Sequence, residues 1–562
     1  MIRRPVLSRS VALVALILST QASLAQSAVT DPLTASNEVF LGQTGDTNVL
    51  TVTQTGSGHL VGANSDGLRL NQLGDRNEVG ILQVGAGNGV GRMSMIGQPG
   101  GLTGLIGTAS GLFQRGDDNF LDIIQRSRRD AMGSQIGAID QSARSQGALI
   151  PSGAKANQAT IRQIGGQYLP LVSDRGESTG EARHEIREIS QVHIPTALNV
   201  APNSIEAQQT GERQEAGQLR QSGAGNSLIL RQSGLANGLR LSAQTGEDNR
   251  STILLMGERN TLGNAEQDGL SNEIGLRLDG TGNFVDQAVQ AGLGGLGGGR
   301  DNSITVSIVG NDNGGEGTGG YRALSAQETV AGAYASSLEQ YGDGNALTLT
   351  IGSDALGRAD GNYFSSAQRG FGNSAYSLMT GDGNEFALSQ DGDGNQLEIV
   401  QTSTAIRATG DSERAGNIAL LQQNGTANRA DIKQSGAGNR LEMQVRGKRN
   451  QLAATQTGTG NRMDVRIVGN DNLRPLAPGA LPAARRDPLA GTLTQDGMNL
   501  RVSFDLSGDS SVVSALQKGM GNVATGFIGG VGNWTAVRQS GEGHMIVSRQ
   551  FGVSNSLFIQ QQ

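Results

Sequence analysis

The residues of this chain that could carry nucleophilic or acid–base chemistry are few. The chain contains no cysteine and only four histidines. His59 and His544 stand where a short repeat elsewhere has asparagine, and His184 and His193 lie in a charged, irregular stretch. A Ser-His-Asp set needs a histidine held beside its nucleophile, and nothing in the sequence marks one. We therefore expect no catalytic residue, no enzyme activity and no cofactor.

Carboxylates in glycine-rich turns are the remaining candidates for ligand chemistry. Gly-Asp-Gly-Asn occurs at 342–345, 381–384 and 392–395. Asp and Asn oxygens suit calcium, but the calcium β-rolls repeat every nine residues, whereas the period here is about 11. Solvated turn residues are the favoured interpretation, with a calcium-folded module as an alternative. Paired carboxylates for glycoside cleavage are not excluded by spacing, but no turn is marked as special. The glycine-rich run at 292–299 lacks the strand–helix context of a nucleotide site and is interpreted as a linker.

Amide side chains, in contrast, recur at a fixed spacing along the whole chain. The pattern Gln-x-Gly-x-x-Asn occurs 16 times, and seven further units carry an apolar residue such as Val445 or Ile467 in place of the glutamine. The apolar units predict that this column tolerates Leu. Successive units start about 11 residues apart, and occasional steps of about 12 indicate a tolerant turn. No metal site is expected. The candidate functional residues, assigned to an amide ladder and its turns, are Gln43, Gly45, Asn48, Gln72, Gly74, Asn77, Gln221, Gly223, Asn226, Gln232, Gly234, Asn237, Gln423, Gly425, Asn428, Gln434, Gly436, Asn439, Gln456, Gly458, Asn461, Gln550, Gly552 and Asn555.

Between one Asn and the next Gln, each unit alternates apolar and polar residues. Leu441 and Met443 follow Asn439 at two and four residues, and Arg440 and Glu442 lie between them. A period of two predicts a strand with one buried face. The glycine then supplies a backbone conformation that other residues rarely adopt, and the residues up to Asn complete the reversal.

Such short strands cannot bury an inner face alone, so the units must stack. Stacking superposes Gln on Gln and Asn on Asn, and the side-chain amides can then form hydrogen-bonded ladders inside the core. The predicted fold class is all-β: a stacked strand-turn-strand β-solenoid with two 11-residue arcs per rung, cross-β and amyloid-like.

Composition and the first residues point to secretion. The 562 residues include 86 glycines, 36% hydrophobic and 3% aromatic residues, with a net charge of −7. This mild charge and the scarcity of aromatic residues argue against a nucleic-acid partner. Arg3, Arg4 and Arg9 precede a short apolar core, and Ser23 and Ala25 offer small residues for cleavage, so residues 1–25 are predicted to be a signal peptide. No segment is apolar enough to span a membrane.

The positions of the repeats and of the prolines divide the chain. All 11 prolines lie outside the strict units and the strands that follow them. Residues 183–189 are expected to form a local helix or a loop. The predicted segments are a signal peptide at 1–25, a short leader at 26–36, repeats at 37–119, a degenerate segment at 120–213, repeats at 214–313, a linker at 314–339, repeats at 340–472 with an insertion at 402–416, a proline-rich linker at 473–494 and repeats at 495–562.

The recurrence of Gln, Gly, Asn and a second Gln six residues after Asn resembles the curlin repeat, the unit of curli amyloid fibre subunits of Gram-negative bacteria. Residues 417–439, with Gln423, Gly425, Asn428 and Gln434, carry the resemblance well. It implies export through an outer-membrane secretion pore and extracellular self-assembly, alone or with other curlin-like subunits, for biofilm matrix and cell adhesion. The chain is longer than a usual curlin subunit and interrupted, so a minor component, nucleator or surface adhesin fits as well.

Two further expectations concern assembly. Residues 555–562 continue the strand pattern without a polar cap, and the first unit begins close to the predicted mature start, so both ends are expected to present open strand edges. The leading function is a secreted self-assembling structural protein. The alternative is a monomeric secreted β-solenoid adhesin that binds a surface or a glycan.

Overall fold

The structure is a computed structural model. It describes residues 25–30, 37–61, 70–86, 88–90, 112–126, 135–143, 156–165, 184–195, 200–211, 214–293, 298–314, 336–352, 359–404, 416–473 and 491–562. In these residues the chain forms β-strands and turns, with no helix. The predicted signal peptide lies outside the described residues except for Ala25. Most of the expected linkers at 314–339 and 473–494 and of the insertion at 402–416 lies outside them as well.

The chain divides into two compact units, Met1–Ser271 and Asn272–Gln562. The strands of the first unit are β1 (Ala25–Thr30), β2 (Glu38–Val39), β3 (Leu41–Thr44), β4 (Val49–Ser57), β5 (Leu60–Val61), β6 (Leu70–Leu73), β7 (Glu78–Ala86), β8 (Gly89–Val90), β9 (Leu112–Arg115), β10 (Phe120–Arg126), β11 (Gln135–Ala143), β12 (Asn157–Gly165), β13 (His184–His193), β14 (Asn203–Gly211), β15 (Gln214–Ala224), β16 (Ser227–Leu228), β17 (Gly238–Glu247) and β18 (Thr261–Leu270).

The strands of the second unit are more uniform in length. They are β19 (Phe284–Ala291), β20 (Gly299–Arg300), β21 (Ser303–Ile304), β22 (Ser337–Tyr341), β23 (Ala346–Thr350), β24 (Tyr363–Arg369), β25 (Ser374–Thr380), β26 (Glu385–Asp391), β27 (Gln396–Ser403), β28 (Ile418–Thr426), β29 (Arg429–Ala437), β30 (Arg440–Lys448), β31 (Gln451–Thr459), β32 (Arg462–Val468), β33 (Thr492–Met498), β34 (Arg501–Asp509), β35 (Val512–Met520), β36 (Val523–Val531), β37 (Trp534–Glu542), β38 (Met545–Val553) and β39 (Ser556–Gln561).

Most consecutive strands alternate between two parallel sheets in each unit, and a few successive strands such as β2 and β3 share one sheet. In the first unit, sheet 1 has the order β1-β4-β7-β10-β12-β14-β16, and sheet 2 runs from β2 and β3 to β18. In the second unit, sheet 3 has the order β21-β23-β25-β27-β29-β31-β33-β35-β37-β39, and sheet 4 continues from β19 and β22 through the even-numbered strands to β38. Two successive arcs therefore make one rung, and the predicted all-β, stacked strand-turn-strand solenoid is confirmed.

Register is kept between equivalent residues of successive rungs. Gln434 in β29 lies opposite Gln456 in β31, and Gln456 lies opposite Gln495 in β33. The separation is 22 residues in the first case and 39 in the second. The additional residues of the second step are thus accommodated between strands without shifting the ladder.

The core lies between the two sheets of each unit and has the predicted alternation. In β30 and β31 the inward residues Leu441, Met443, Leu452 and Ala454 are buried, and the residues between them are partly exposed. The strands reach nine residues because they continue through the glycine of the repeat. Hydrophobic burial along these two rows supplies the apolar contribution to stability.

The segment 120–213 contains strands that join the same two sheets. β10, β12 and β14 belong to sheet 1, and β11 and β13 belong to sheet 2. The helix or loop expected at 183–189 is wrong for the described residues 184–189, which lie in β13. Its two inward apolar residues, Ile186 and Ile189, are buried although they are three positions apart, a spacing also typical of a helix.

A bulge explains that spacing. In β11, β13, β15, β17 and β18 one residue of each strand is left out of the pairing. Between β15 and β17, for example, the residues left out are Gly217 and Arg240. An extra residue in a strand shifts the following side chains by one position. Repeat steps of about 12 residues were expected to place the additional residue in a tolerant turn. The structure places it inside the strand instead.

The strands expected near 250–256 and 271–279 do not form. Ile253, Leu255 and Leu278 are buried as predicted, but they have positive φ angles of 68°, 72° and 74°. Positive φ is rare for residues other than glycine and strains a β-branched residue, so the ladder is interrupted here. The absence of Gln from these units does not account for the interruption, because Val445 and Ile467 lie in regular strands.

Candidate functional site: stacked amide ladders and a sheet edge

Glutamines of successive rungs form hydrogen-bonded ladders in the cores of both units. Each side-chain amide donates from Nε2 to Oε1 of the next rung, as Gln434 does to Gln456 at 2.8 Å. In sheet 3 the ladder runs through Gln401, Gln434, Gln456, Gln495, Gln517, Gln539 and Gln561, with distances of 2.8–3.0 Å. In sheet 4 it runs through Gln290, Gln340, Gln368, Gln390 and Gln423.

The same amide also connects the two sheets. Nε2 of Gln434 lies 2.9 Å from the carbonyl oxygen of Ile418, the first residue of β28 in the facing sheet. Gln517 and Arg501 repeat this contact at 2.9 Å. A buried primary amide needs partners for its donors and its acceptor, and this arrangement provides them. The ladder therefore fixes the register along the stack and the alignment of the sheets across it.

Asparagines form a second ladder at each corner of the rung. The backbone N–H of Asn450 donates to Oδ1 of Asn428 in the preceding rung at 3.2 Å, and its Nδ2 donates to the carbonyl oxygen of Gly469 in the next rung at 2.8 Å. We refer to the residue at this position as the slot residue. One slot residue thus joins three consecutive rungs.

The glycine of the repeat is required by space as well as by conformation. Gly436 has a φ of 114°, and a Cβ placed on it would lie 1.9 Å from the carbonyl oxygen of Gly458 in the next rung. No side chain fits at that distance without moving the backbone. Gly438, two residues later, also has positive φ, but the nearest atom to a Cβ there is 4.0 Å away.

Most of the candidate residues lie in these ladders, and two depart from the pattern. Gln43, Gln72, Gln221, Gln423, Gln434 and Gln456 take part in Gln–Gln hydrogen bonds, and Gln232 donates in the reverse direction to Gln209. Gln550 lies opposite Ile528 and accepts instead from Thr535 Oγ1 at 2.8 Å. Gly234 lacks the positive φ of Gly45, Gly74, Gly223, Gly425, Gly436, Gly458 and Gly552.

Several ladder members escape the repeat pattern. Gln125, Gln141, Gln163 and Gln191 continue the ladders of the first unit through 120–213. None of their turns carries the asparagine at the expected spacing, and only Gln163 is followed by the glycine, Gly165. The detectable signal is an apolar residue two positions before the glutamine, as for Ile123 and Gln125.

The turn carboxylates act as acceptors for backbone N–H groups. Oδ1 of Asp75 accepts from the N–H of Asp46 at 2.6 Å, and Asp117 accepts from Asp75 at 2.7 Å. Asp393 accepts from Phe371 in the second unit at 3.0 Å. The described part of the chain contains no group of three or more His, Asp or Glu side chains arranged to hold a metal ion.

Two histidines occupy slots. The backbone N–H of His59 donates to Asn37 Oδ1 at 3.0 Å, its Nδ1 accepts from the N–H of Asn88 at 3.3 Å, and its Nε2 lies 3.0 Å from the carbonyl oxygen of Thr55. Burial lowers the pKa of His59 from its ordinary value. His544 likewise donates its N–H to Asn522 Oδ1 at 2.8 Å.

The rung formed by β38 and β39 has partners on one side within the described residues. β38 pairs with β36, and β39 pairs with β37. Met545, Phe551 and Val553 of β38 are 66%, 65% and 71% exposed, and the Phe551 ring packs against Phe527 with centroids 5.1 Å apart. An unpaired strand edge flanked by exposed apolar side chains is a surface on which another strand can add.

The comparisons with known proteins agree with the ladder geometry. Residues 367–392 match the family model described as the curlin associated repeat. This match covers the end of β24, all of β25 and all of β26, and it includes Gln368 and Gln390, which are neighbours in the sheet 4 ladder. No curated protein matches the chain. In the described residues no helix is long and apolar enough to cross a membrane.

Proposed function

We propose that this chain, whose residues 367–392 match the curlin associated repeat, is a self-assembling structural protein, a curli-like extracellular amyloid fibre component or nucleator. The observation that carries the proposal is the continuity of the ladders. A glutamine in the middle of a ladder, such as Gln434, accepts a hydrogen bond from the rung before it and donates one to the rung after it. The β38–β39 rung presents the same groups with one side uncovered.

A second copy of the chain is the partner that this edge fits best. The groups offered are a row of backbone N–H and C=O groups, the amide of Gln561 and the slot residue Asn555. A rung of the same repeat supplies a matching group for each of them, in the parallel register used throughout both units. It also covers part of the exposed apolar row on β38.

The repeat blocks at 37–119, 214–313, 340–472 and 495–562 would then provide the stacking units. The strands of 120–213 and β1 at 25–30 stack in the same sheets and would extend these units, and the segments at 314–339 and 473–494 would connect the blocks. Export would use the predicted signal peptide at 1–25 and an outer-membrane pore. Outside a Gram-negative cell, the fibres would serve biofilm matrix and cell adhesion, which is a structural rather than an enzymatic role.

The proposal is tested with purified protein from residue 26 at several concentrations. We expect thioflavin fluorescence to rise after a lag that preformed fibres abolish. Fibre diffraction should then show reflections at about 4.8 Å and about 10 Å, the strand and sheet spacings. A chain that stays monomeric at all concentrations and with added seeds would refute the proposal.

One feature favours the alternative, a monomeric adhesin. The outward face of sheet 4 has a groove of about 310 Å³ lined by Glu442, Arg462, Asp464, Arg466 and Asp505. Arg462 and Asp464 form an ion pair at 2.8 Å, so the groove presents fixed donors and acceptors of the kind that hold polar ligands such as glycans. Binding of a surface glycan by monomers that cannot be seeded would support this function.

A further inference from the structure

The slot residue determines whether a rung can accept the next one. In the corner column that precedes the strands of sheets 2 and 4, the side chain accepts the backbone N–H of the next slot residue. Asn384, for example, accepts from the N–H of Asn417 at 3.2 Å, and Asn417 accepts from Asn439 at 3.3 Å. Asparagine performs this function at any pH because its amide does not titrate.

Histidine can hold the slot in only one protonation state. At His59, Nδ1 faces the N–H of Asn88, which is a donor, and Nε2 faces the carbonyl oxygen of Thr55, which is an acceptor. Nδ1 must therefore carry the lone pair and Nε2 the proton, so the ring is neutral. A proton on Nδ1 would place two donors against each other.

His544 occupies the same slot in the β38–β39 rung. Its Nε2 lies 3.0 Å from the carbonyl oxygen of Ser540, which reproduces the His59–Thr55 contact. Within the described residues, no N–H reaches its Nδ1. Asn37 is the first described slot residue of the equivalent column, and no described carbonyl or side chain accepts its backbone N–H. The two groups are complementary donor and acceptor.

We propose that His544 gates head-to-tail addition of a second copy: neutral His544 accepts the backbone N–H of the incoming Asn37, and protonation of the imidazole blocks that contact. The inference depends on the self-assembly proposed above. In this arrangement β39 takes the place on β4 that β1 occupies, so β1 is displaced when a copy docks.

The other titratable groups near this contact are few. Glu542 lies in the same turn, Lys518 pairs in register with Ser540, and Glu38 follows Asn37 on the incoming copy. Imidazole is the side chain that ordinarily changes its charge between about pH 5.5 and pH 8. A change in growth within this interval therefore reports on histidine.

The test measures seeded elongation of the full mature chain between pH 5.5 and pH 8. We expect elongation to fall about tenfold or more toward pH 5.5, because a lost acceptor and two opposed donors cost as much as a broken charged hydrogen bond. His544→Asn should elongate at the wild-type rate at pH 8 and lose the pH dependence. His59→Asn, which restores asparagine at an internal slot, should keep the wild-type profile.

The outcomes separate the two proposals. If His544→Asn retains the wild-type pH profile, or if the wild type elongates equally across the interval, the gate is refuted while self-assembly stands. If neither protein elongates at any pH, self-assembly itself fails and the gate fails with it.

Discussion

The glutamine ladder predicts that the same substitution has different costs at two neighbouring positions. Gln434 lies in the middle of the sheet 3 ladder, where it accepts from Gln401 at 2.9 Å and donates to Gln456 at 2.8 Å. Gln423 is the last amide of the sheet 4 ladder, because Val445 follows it in the next rung. Replacing each by leucine therefore compares an interior position with a ladder end.

The expected costs follow from counting the hydrogen bonds. Gln423→Leu removes one amide bond and transfers the end of the ladder to Gln390, which keeps its contact with the carbonyl oxygen of Ser374 at 3.3 Å. The ladder then still ends in one amide without a following partner, so the cost is that of one lost hydrogen bond, about 1 kcal/mol. Gln434→Leu removes two amide bonds and leaves the buried Oε1 of Gln456 without its donor, which costs about 3 kcal/mol.

Native-state hydrogen exchange measures this difference locally, because repeat arrays open in segments. A gap of about 2 kcal/mol corresponds to about 30-fold faster exchange for Gln434→Leu than for Gln423→Leu in peptides from 416–473. Equal exchange in the two variants would refute the expectation that an interior glutamine contributes more hydrogen bonds than a terminal one. It would show that the apolar residues in the column are tolerated at any position, as the sequence alone predicts.

Three further outcomes are expected. Gly436→Val should unfold the surrounding rungs, seen as lost protection and lost circular dichroism, whereas Gly438→Asn should be tolerated because its Cβ has room. His59→Asn should improve resistance to acid: burial lowers the pKa of His59, so the wild type loses stability as the pH falls below about 6.5, and the variant should show the same amide protection factors, corrected for the intrinsic pH dependence of exchange, at pH 5 and pH 8. Asp75→Ala should cost about 1 kcal/mol by removing the acceptor of the Asp46 N–H, measured as faster exchange of that amide.

Much of the fold follows from the repeat because the interactions are local to it. The spacing from Asn439 to Leu441 and Met443 gives the inward face, and the recurrence of Gln434 at Gln456 gives the stacking. The bulged strands could not be predicted in the same way, because an added residue in a strand and one in a turn give the same spacing. The acceptor role of Asp75 also depends on which turns lie next to each other, and that is known only once the rungs are stacked.

The distribution of amides between the sheets bears on why the ladders are kept. In the second unit, sheet 4 loses its glutamines at Val445, Ile467, Leu506 and Ile528, and the same rungs keep glutamine in sheet 3 at Gln456, Gln495, Gln517 and Gln539. Apolar residues in both columns would bury as much surface. They would not, however, distinguish the native register from a slipped one, since any apolar residue packs on any other. One amide per rung is enough to penalise a slip, because a misplaced glutamine is buried without partners. Apolar residues in the second column then add hydrophobic stability, while the glutamines of the first column keep the register.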